Sequence, residues 1–410
     1  MKRIIIIGGG AAGLMAAISA AKKCPENEII IADKNERLAR KVMITGKGRC
    51  NVTNNCDIDT FIANIPKNPR FLYSAFSQFS SHDTMEFFEQ NGVPLKTERG
   101  NRVFPVSDKA VDIVDALVKS AKKNGVKIIN DTVVDVICEG NRVQGVVFYK
   151  KGFISADSVV IATGGASYSL TGSTGDGYRF AEKTGHSVLS PKGSLVPLEC
   201  HEGFCSKLSG LSVKNVTLSV FEECKKKAVF SEMGEMLFTH FGISGPLVLS
   251  ASAYMKNDGS TKYKVVIDLK PALSFEQLDN RILRDFSENK NKDFCNSLDK
   301  LLPKSLIPII VSQSSIPADC KVNNIDRERR KEFALLLKNF ELHITGFRPI
   351  EEAIITRGGV SVKNINPATM ESKIINGLFF AGEVIDVDAL TGGFNLQIAF
   401  STGYVAGLNA

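Results

Sequence analysis

The stretch that most limits what this chain can become is its first thirty-three residues. Ile4 to Ile7 are four consecutive isoleucines ending at glycine, and an unbroken β-branched run suits a strand covered by helices on both faces. That strand is expected at the centre of its sheet. Gly8, Gly10 and Gly13 follow in the spacing GxGxxG. The first glycine makes the turn, the second lets backbone approach a pyrophosphate, and the third lets helix pack on strand. Leu14 to Lys23 supplies the helix whose N-terminal amides would hold the phosphate. GxGxxG alone is weak, but here its context is complete. A strand precedes it, a helix follows, Glu28 to Ala32 forms a second strand, and Asp33 closes that strand about 20 residues after Gly13. A carboxylate there accepts hydrogen bonds from the ribose of an adenosine and repels a 2′-phosphate. The set points to an adenine dinucleotide site rather than a bare strand-to-helix turn.

A chain of 410 residues exceeds what one core usually holds, so two or more domains are expected. Lys2 and Arg3 before an apolar run imitate a signal peptide, but three glycines break the run and no convincing processing site follows. No uninterrupted apolar stretch of about 18 residues occurs, so no membrane span is predicted. Nine cysteines (24, 50, 56, 138, 200, 205, 224, 295 and 320) are odd in number and form no CxxC pair. This suits a reducing cytoplasm and argues against a disulfide framework or a dithiol centre. Five histidines, without a ligand-like i, i+4 pair, give no metal site. A formal charge of +7 leaves binding to a polyanion open.

Lys34 and Arg40 lie in the basic stretch after Asp33 and join the candidate cofactor set. Thr45, Gly46, Lys47, Gly48, Arg49, Cys50 and Asn51 then form a loop rich in glycine and cations, able to bend closely around a polar ligand. Phe71 to Asn91 carries apolar positions at helical spacing, and its phenylalanines read as core. Asp108 to Lys123 reads as a second amphipathic helix capped by Ser107 or Asp108. Val126–Asn130, Thr132–Cys138, Arg142–Tyr149 and Gly152–Ser155 read as strands. Ser158 to Ala162 returns as a buried strand running into Thr163, Gly164 and Gly165, a second backbone turn at the nucleotide end of the sheet. In Thr171 to Gly177, Asp176 either caps the helix that follows or helps face an anion or a flavin edge.

From Ser194 the character changes. Leu195–Leu198, Val213–Phe221 and Lys262–Leu269 alternate as antiparallel strands, whereas Ser274–Ser287, Phe294–Leu302 and Arg327–Phe340 are helical. The expected organisation is α/β, with residues from about 190 to 345 inserted into the first domain, strands first and helices after, covering the cofactor and selecting the substrate. His240 sits in a cluster of glycine and polar residues at 237–246. The chain then returns with the strand Leu378–Ala381, followed by Gly382, Glu383 and Asp386, and later Gly393, Phe394, Asn395, Leu396 and Gln397 leading a final helix. A carboxylate past a strand and a helix start suit a flavin dinucleotide: Asp386 for ribitol hydroxyls, and the helix N-terminus for charge at the N1/C2 side of the ring. A nicotinamide dinucleotide needs neither, so FAD is the expected tightly held ligand.

With these residues quoted, the chain resembles the bacterial family of NAD(P)/FAD-dependent oxidoreductases, also described as aminoacetone-oxidase-like FAD-binding enzymes. The matching motifs are IIIIGGGAAGLMAA, TGKGRCNVTN, VVIATGGASY, TGSTGDGYRFAEKTGH, LFTHFGISGP and GLFFAGEVIDVDALTGGFNLQIAFSTGYVAG. ATGG, TGDGY, TRGGV and GLFFAGEV are also similar to the wider fumarate reductase and succinate dehydrogenase flavoprotein group. The resemblance implies a Rossmann-like FAD-binding domain at 1–190 with 346–410, an inserted β-rich barrel at 191–270 and a helical insert at 271–345. It also implies non-covalent FAD, with Gly8, Gly10, Ala11, Ala12 and Gly13 at the pyrophosphate, Asp33 at the ribose and Val134 at the adenine through its backbone. It further implies Thr45 to Asn51 at the flavin, Ala162 to Gly164 at the second turn, and Asp386 with Gly393 to Gln397 at the ribitol and isoalloxazine. The ribose carboxylate is aspartate where many of the wider group have glutamate.

Three functions follow. The first is an FAD-dependent oxidoreductase acting on a small molecule held under the insert; amine oxidation is the named family activity, but the sequence offers it no aromatic cage or ammonium-binding carboxylate. The second, with which members of the family are also associated, is reduction of uridine to dihydrouridine in ribosomal RNA, with Cys50 or His240 as the acid. Lys225–Lys227, Arg327, Arg329, Arg330 and Lys331 would meet phosphates, although Asp326 and Glu328 are interleaved with them. The third is an FAD-binding sensor without turnover. NAD(P)H, for which no second nucleotide fingerprint exists, would act as a transient donor. Oligomeric state is not written in the sequence.

Overall fold

Five short strands build one parallel sheet, four of them buried and the edge strand Lys127–Asn130 partly exposed. Their order is Leu378–Phe380, Ser158–Ile161, Arg3–Ile7, Glu28–Asp33, Lys127–Asn130. The isoleucine strand is therefore the middle one, with Ile5 opposite Val159 on one side and Ile30 on the other. This is the structure in a computed structural model, which describes residues 1–223 and 225–410; Cys224 lies outside the described residues. Two units are distinguished: Met1–Ser194 with Pro349–Ala410, and Leu195–Arg348.

In the first unit the opening helix, Ala11–Lys23, and the closing helix, Phe394–Asn409, lie against one another unusually closely. A Cβ on Gly403 would sit 2.3 Å from the Ala12 carbonyl oxygen, and one on Gly407 2.0 Å from that of Ala16. Only the hydrogen side chain lets the two backbones approach so far, and Ser19 Oγ adds a hydrogen bond to the Tyr404 carbonyl at 2.9 Å. Antiparallel strands Val133–Glu139, Arg142–Phe148 and Gly152–Ser155 form a separate three-stranded sheet.

The pattern at 71–91 is not one helix. Tyr73–Gln78 ends, Phe79 turns extended, and Ser80 begins Ser81–Gln90 with a reciprocal cap: Ser80 N–H to Asp83 Oδ2 at 2.7 Å and Asp83 N–H to Ser80 Oγ at 3.3 Å. Such a box starts a helix whatever the hydrophobic period says. The phenylalanines are core as expected, Phe76 and Phe88 being fully buried. The helix expected from Asp108 begins at Ala110, with Lys109 at the cap position. Ser107 and Asp108 are not its caps, because the Asp108 carboxylate is held by Lys96 and Arg49 instead.

The second unit is a closed six-stranded barrel in the order Leu198–Cys200, Gly242–Ser244, Phe230–Thr239, Ser212–Glu222, Tyr263–Asp268, Phe340–Phe347. The last strand follows the helices Phe275–Glu288, Ile307–Gln313 and Arg327–Lys338, so the helical segment interrupts the barrel rather than trailing it. Phe294–Leu302 holds only the single turn Phe294–Asn296. Val216, Leu218, Val220, Phe238, Val265 and Leu342 share one core with Ile282, Phe333 and Leu337 from the helices. Burying the helices' apolar faces on the barrel contributes about 25 cal/mol per Å². Among the described residues no helix is long and apolar enough to cross a membrane.

Candidate functional site

Three helix N-termini in the first unit follow glycine and take no side-chain cap, at Gly10, Gly175 and Gly393, and the first and last of them frame the candidate site. At the first, the Gly10 carbonyl accepts from Leu14 N–H at 2.9 Å. The amides of Ala11, Ala12 and Gly13 thus have no partner within the helix. The three motif glycines differ in what surrounds them. A Cβ on Gly8 would lie 2.5 Å from the Ala162 carbonyl oxygen and one on Gly13 1.8 Å from that of Gly8, whereas one on Gly10 would meet nothing within 4 Å. Gly8 and Gly13 serve packing; Gly10 borders the open space that a phosphate needs. The contact at Gly8 also brings Ala162, Thr163 and Gly164 against the first turn, and Thr163 Oγ1 is buried without a hydrogen-bond partner.

Asp33 is oriented by backbone. Its Oδ1 accepts from Asn35 N–H at 2.7 Å and Asn35 Nδ2 at 3.0 Å, and its Oδ2 accepts from Gly9 N–H at 2.7 Å and retains accepting capacity. Arg40 Nη1 donates to Asn35 Oδ1 at 3.0 Å, and Lys34 Nζ pairs with Asp176 at 2.8 Å. Both cations are thus engaged with side chains. Asp176 does not cap its helix, since Gly175 holds the cap position. Burial raises the Asp176 pKa, but the hydrogen bonds from Lys34 and Thr174 outweigh it and leave the carboxyl below its ordinary range. Val134 falls at a break in strand register between Val133 and Asp135. A bulge of this kind leaves a residue outside the ladder; the Val134 carbonyl accepts from Arg179 Nη1 at 3.0 Å.

The loop after Thr45 is wound tightly: Gly46, Lys47, Gly48 and Cys50 have φ of +56°, +59°, +84° and +59°. Strain of this kind, about 1 kcal/mol or more at each non-glycine position, concentrates at ligand clamps. Arg49 is not available to an anion. Its guanidinium lies 2.5 Å from both Glu98 and Asp108 and 4.1 Å from the Phe104 ring centroid. It anchors the loop instead. Cys50 is fully buried, and burial pushes its thiol up to about 12, only partly offset by a hydrogen bond with Thr45. A thiol with no exposed surface and a raised pKa is poorly placed to give a proton to a substrate, so the structure argues against the expectation that Cys50 is the acid. Asn51 Oδ1 is buried and unpartnered.

The returning segment completes the site. Asp386, 2% exposed, takes Asn68 Nδ2 on Oδ2 at 3.1 Å, and Asn68 also donates to its carbonyl at 2.7 Å. Its Oδ1 stands 3.3 Å from Lys67 Nζ as an ion pair, without hydrogen-bond geometry. Glu383 pairs with Lys41 at 2.7 Å, and a Cβ on Gly382 would meet Ala12 Cβ at 2.8 Å. At the closing helix, Gly393 takes the cap position and its carbonyl accepts from Gln397 N–H at 3.2 Å, leaving the amides of Phe394, Asn395 and Leu396 open. The side chains of this turn point elsewhere. Phe394 packs edge-on against Phe61 at 4.8 Å, and Asn395 fastens the backbone of Ala389. Gln397, fully buried, bonds Thr53 Oγ1, Ser401 Oγ and the Phe79 carbonyl. The side chains of Asn395 and Gln397 are thus engaged within the protein, and the turn presents its backbone amides. Lys41, Lys67 and Asn68 were missed, because lone cations and an asparagine outside any glycine motif carry no signal of their own.

The uncapped helix starts at Gly10 and Gly393, an accepting carboxylate at each end, the buried unpartnered oxygens of Asn51 and Thr163, and Asp386 Oδ1 without a hydrogen bond beyond its ion pair with Lys67 fit a flavin dinucleotide. His240 belongs to the second unit, where it is exposed at the turn after Thr239 with its ring edge-on to Phe241 at 4.9 Å. Of the basic residues there, Arg330 is withdrawn into an ion pair with Asp279 at 2.7 Å.

The family description "HI0933-like protein Rossmann domain" matches residues 2–409. The chain belongs to the HI0933-like family. Within reach of this HI0933-like protein are a ribosomal RNA dihydrouridine synthase of Haemophilus influenzae, 33% identical over 99% of this chain and 97% of the relative, and a 3-dehydro-bile acid delta(4,6)-reductase of Clostridium scindens, 29% identical over 99% and 98%. Among solved structures, a 3-ketosteroid delta1-dehydrogenase from Sterolibacterium denitrificans aligns over 99% of both chains at TM-score 0.54 and 13% identity. A flavocytochrome c3 fumarate reductase aligns over 100% of this chain and 78% of its own at 0.52 and 18%. These likenesses show a flavoprotein oxidoreductase fold for the HI0933-like chain.

Proposed function

We propose that this protein is an FAD-dependent reductase that adds hydrogen across a carbon–carbon double bond conjugated to a carbonyl, and that its substrate is uridine in ribosomal RNA. FAD, when bound and reduced by NAD(P)H as the external donor, would supply a hydride to the double-bond carbon farther from the carbonyl, the nearer carbon taking a proton. The chain's own part is binding and orientation. The amides of Ala11 to Gly13 hold the pyrophosphate, Asp33 the adenosine ribose, and the bulged backbone at Val134 the adenine. Asp386 takes the ribitol hydroxyls, and the amides of Phe394 to Leu396 favour negative charge at the N1/C2 side of the ring. The observation that carries the reading is the 33% identity, along nearly the whole chain, to a relative named for dihydrouridine synthesis in ribosomal RNA.

A second reading, a steroid-like enone, is supported by the equally complete 29% match to a bile acid reductase. The two names share one chemistry, so the test must separate substrates. Purified protein loaded with FAD is reduced with NADH or NADPH without oxygen, then offered ribosomal RNA from cells lacking the gene or an unsaturated 3-oxo steroid. Dihydrouridine in the RNA supports the first reading. Reoxidation by the steroid alone replaces it with the second, and reoxidation by neither rejects both.

A further inference from the structure

Four stretches distant in sequence meet around one ion pair in the first unit. Lys41 Nζ lies 2.7 Å from Glu383 Oε2 and 3.0 Å from Oε1, and donates to Ser167 Oγ at 2.8 Å. Glu383 Oε1 also accepts from the Thr356 amide at 2.7 Å and from Ser167 Oγ at 3.2 Å. Thr356 Oγ1 in turn accepts the amide N–H groups of Ala166 and Ser167 at 2.8 and 3.0 Å. The knot has no slack, for a Cβ on Gly165 would lie 2.3 Å from Thr356 Oγ1 and 2.8 Å from Glu383 Oε1.

The knot stands at the carboxyl end of the parallel sheet, where Glu383 follows the strand Leu378–Phe380 and Ser167 follows the strand Ser158–Ile161. Ligands of such sheets bind at that end. The two side chains are only 22% and 21% exposed, so solvent screens them incompletely. As a clamp the pair is a poor choice, because two partly desolvated charges gain little over well-packed apolar groups. What it offers beyond clamping is a carboxylate whose field is cancelled.

We propose that Lys41 is a positioning residue that sets the reduction potential of bound FAD by neutralising Glu383. This rests on the reading of the first unit as the FAD site. Electrons added to the flavin make it more negative, so an uncompensated carboxylate nearby opposes reduction and an uncompensated ammonium favours it. Removing either partner alone therefore shifts the potential in opposite directions, and removing both restores it. A mechanical clamp has no such sign: each single loss loosens the same knot.

The experiment uses the full chain loaded with FAD, in wild-type form and as K41M, E383Q, K41R and K41M/E383Q, with midpoint potentials measured against an indicator dye without oxygen and FAD affinity measured alongside. K41M is expected to lower the ratio of reduced to oxidised FAD at a given potential by about tenfold, a shift of about 30 mV for a two-electron couple. E383Q is expected to raise it similarly, and K41R and the double variant to lie close to wild type. Single variants that shift in the same direction, or that leave the potential unmoved while FAD stays bound, overturn the inference. Should K41M fail to fold, the rise in E383Q and its return in the double variant decide the sign. A wild-type chain that takes up no FAD overturns the cofactor reading itself, a distinct result.

Discussion

Replacing Gly10 and Gly13 separately by alanine distinguishes a ligand's requirement from a fold's. The Gly10 backbone lies at φ −80°, ψ −169°, which alanine adopts freely, and an added Cβ meets no protein atom within 4 Å. Alanine is a poorer cap than glycine by about 1 kcal/mol, but it restricts the unfolded chain by about 0.4–1 kcal/mol. The G10A protein should therefore melt within about 2 °C of wild type when FAD is absent. The same methyl occupies the space where backbone approaches the pyrophosphate. Loss of one charge-assisted hydrogen bond costs about 1.5–3 kcal/mol, a rise of roughly 10- to 150-fold in Kd. G13A behaves in the opposite way. Its Cβ would fall 1.8 Å from the Gly8 carbonyl oxygen, so the helix must move by more than 1 Å, at a cost of about 1–3 kcal/mol and a melting point lower by about 2–4 °C per kcal/mol. Thermal melts with and without FAD, together with titration of flavin fluorescence, measure both quantities. A G10A protein that binds FAD as tightly as wild type would refute the assignment of this turn to the pyrophosphate.

Three further outcomes are expected. His186 is buried, with Nε2 2.6 Å from Ser372 Oγ and Nδ1 3.0 Å from Thr184 Oγ1, and burial lowers its pKa. Its contribution to stability is complete above the unfolded value of about 6.5 and is lost as pH falls below it; urea titrations across that range should show this slope in wild type and a shallower one in H186Q. Q397L leaves Thr53 Oγ1 without its buried partner, while the Phe79 carbonyl keeps Ser401 Oγ at 2.6 Å, and should cost about 1–3 kcal/mol in urea unfolding while FAD affinity changes less than twofold; a large loss of affinity with unchanged stability would return Gln397 to the cofactor. C50A should keep its FAD and its turnover, and the Cys50 peptide of the native wild-type protein should resist alkylation at mildly basic pH, since burial holds the thiol at about 12; rapid labelling followed by mass spectrometry would contradict this.

The central sheet and both turns of the nucleotide end were legible because their requirements are local. A strand buried on both faces needs an unbroken run such as Ile4 to Ile7, and a helix start that receives phosphate needs Gly10. What escaped is what depends on residues far apart in sequence. Nothing in Phe340 to Phe347 says that it pairs with Leu198–Cys200, so the barrel looked complete before the helices began. Asp176, Arg49 and Gln397 have the right chemistry for caps and ligands, yet each is consumed by Lys34, by Glu98 and Asp108, or by Thr53. Ser80 shows the reverse case: a capping box with Asp83 was present in the sequence, and the longer hydrophobic period obscured it.

The intimacy of Ala12 with Gly403 and of Ala16 with Gly407 has a bearing on how the first unit folds. Each contact joins residues nearly four hundred positions apart, so its loop-closure entropy must be met before its packing is gained, and the two helices are expected to seat late in folding.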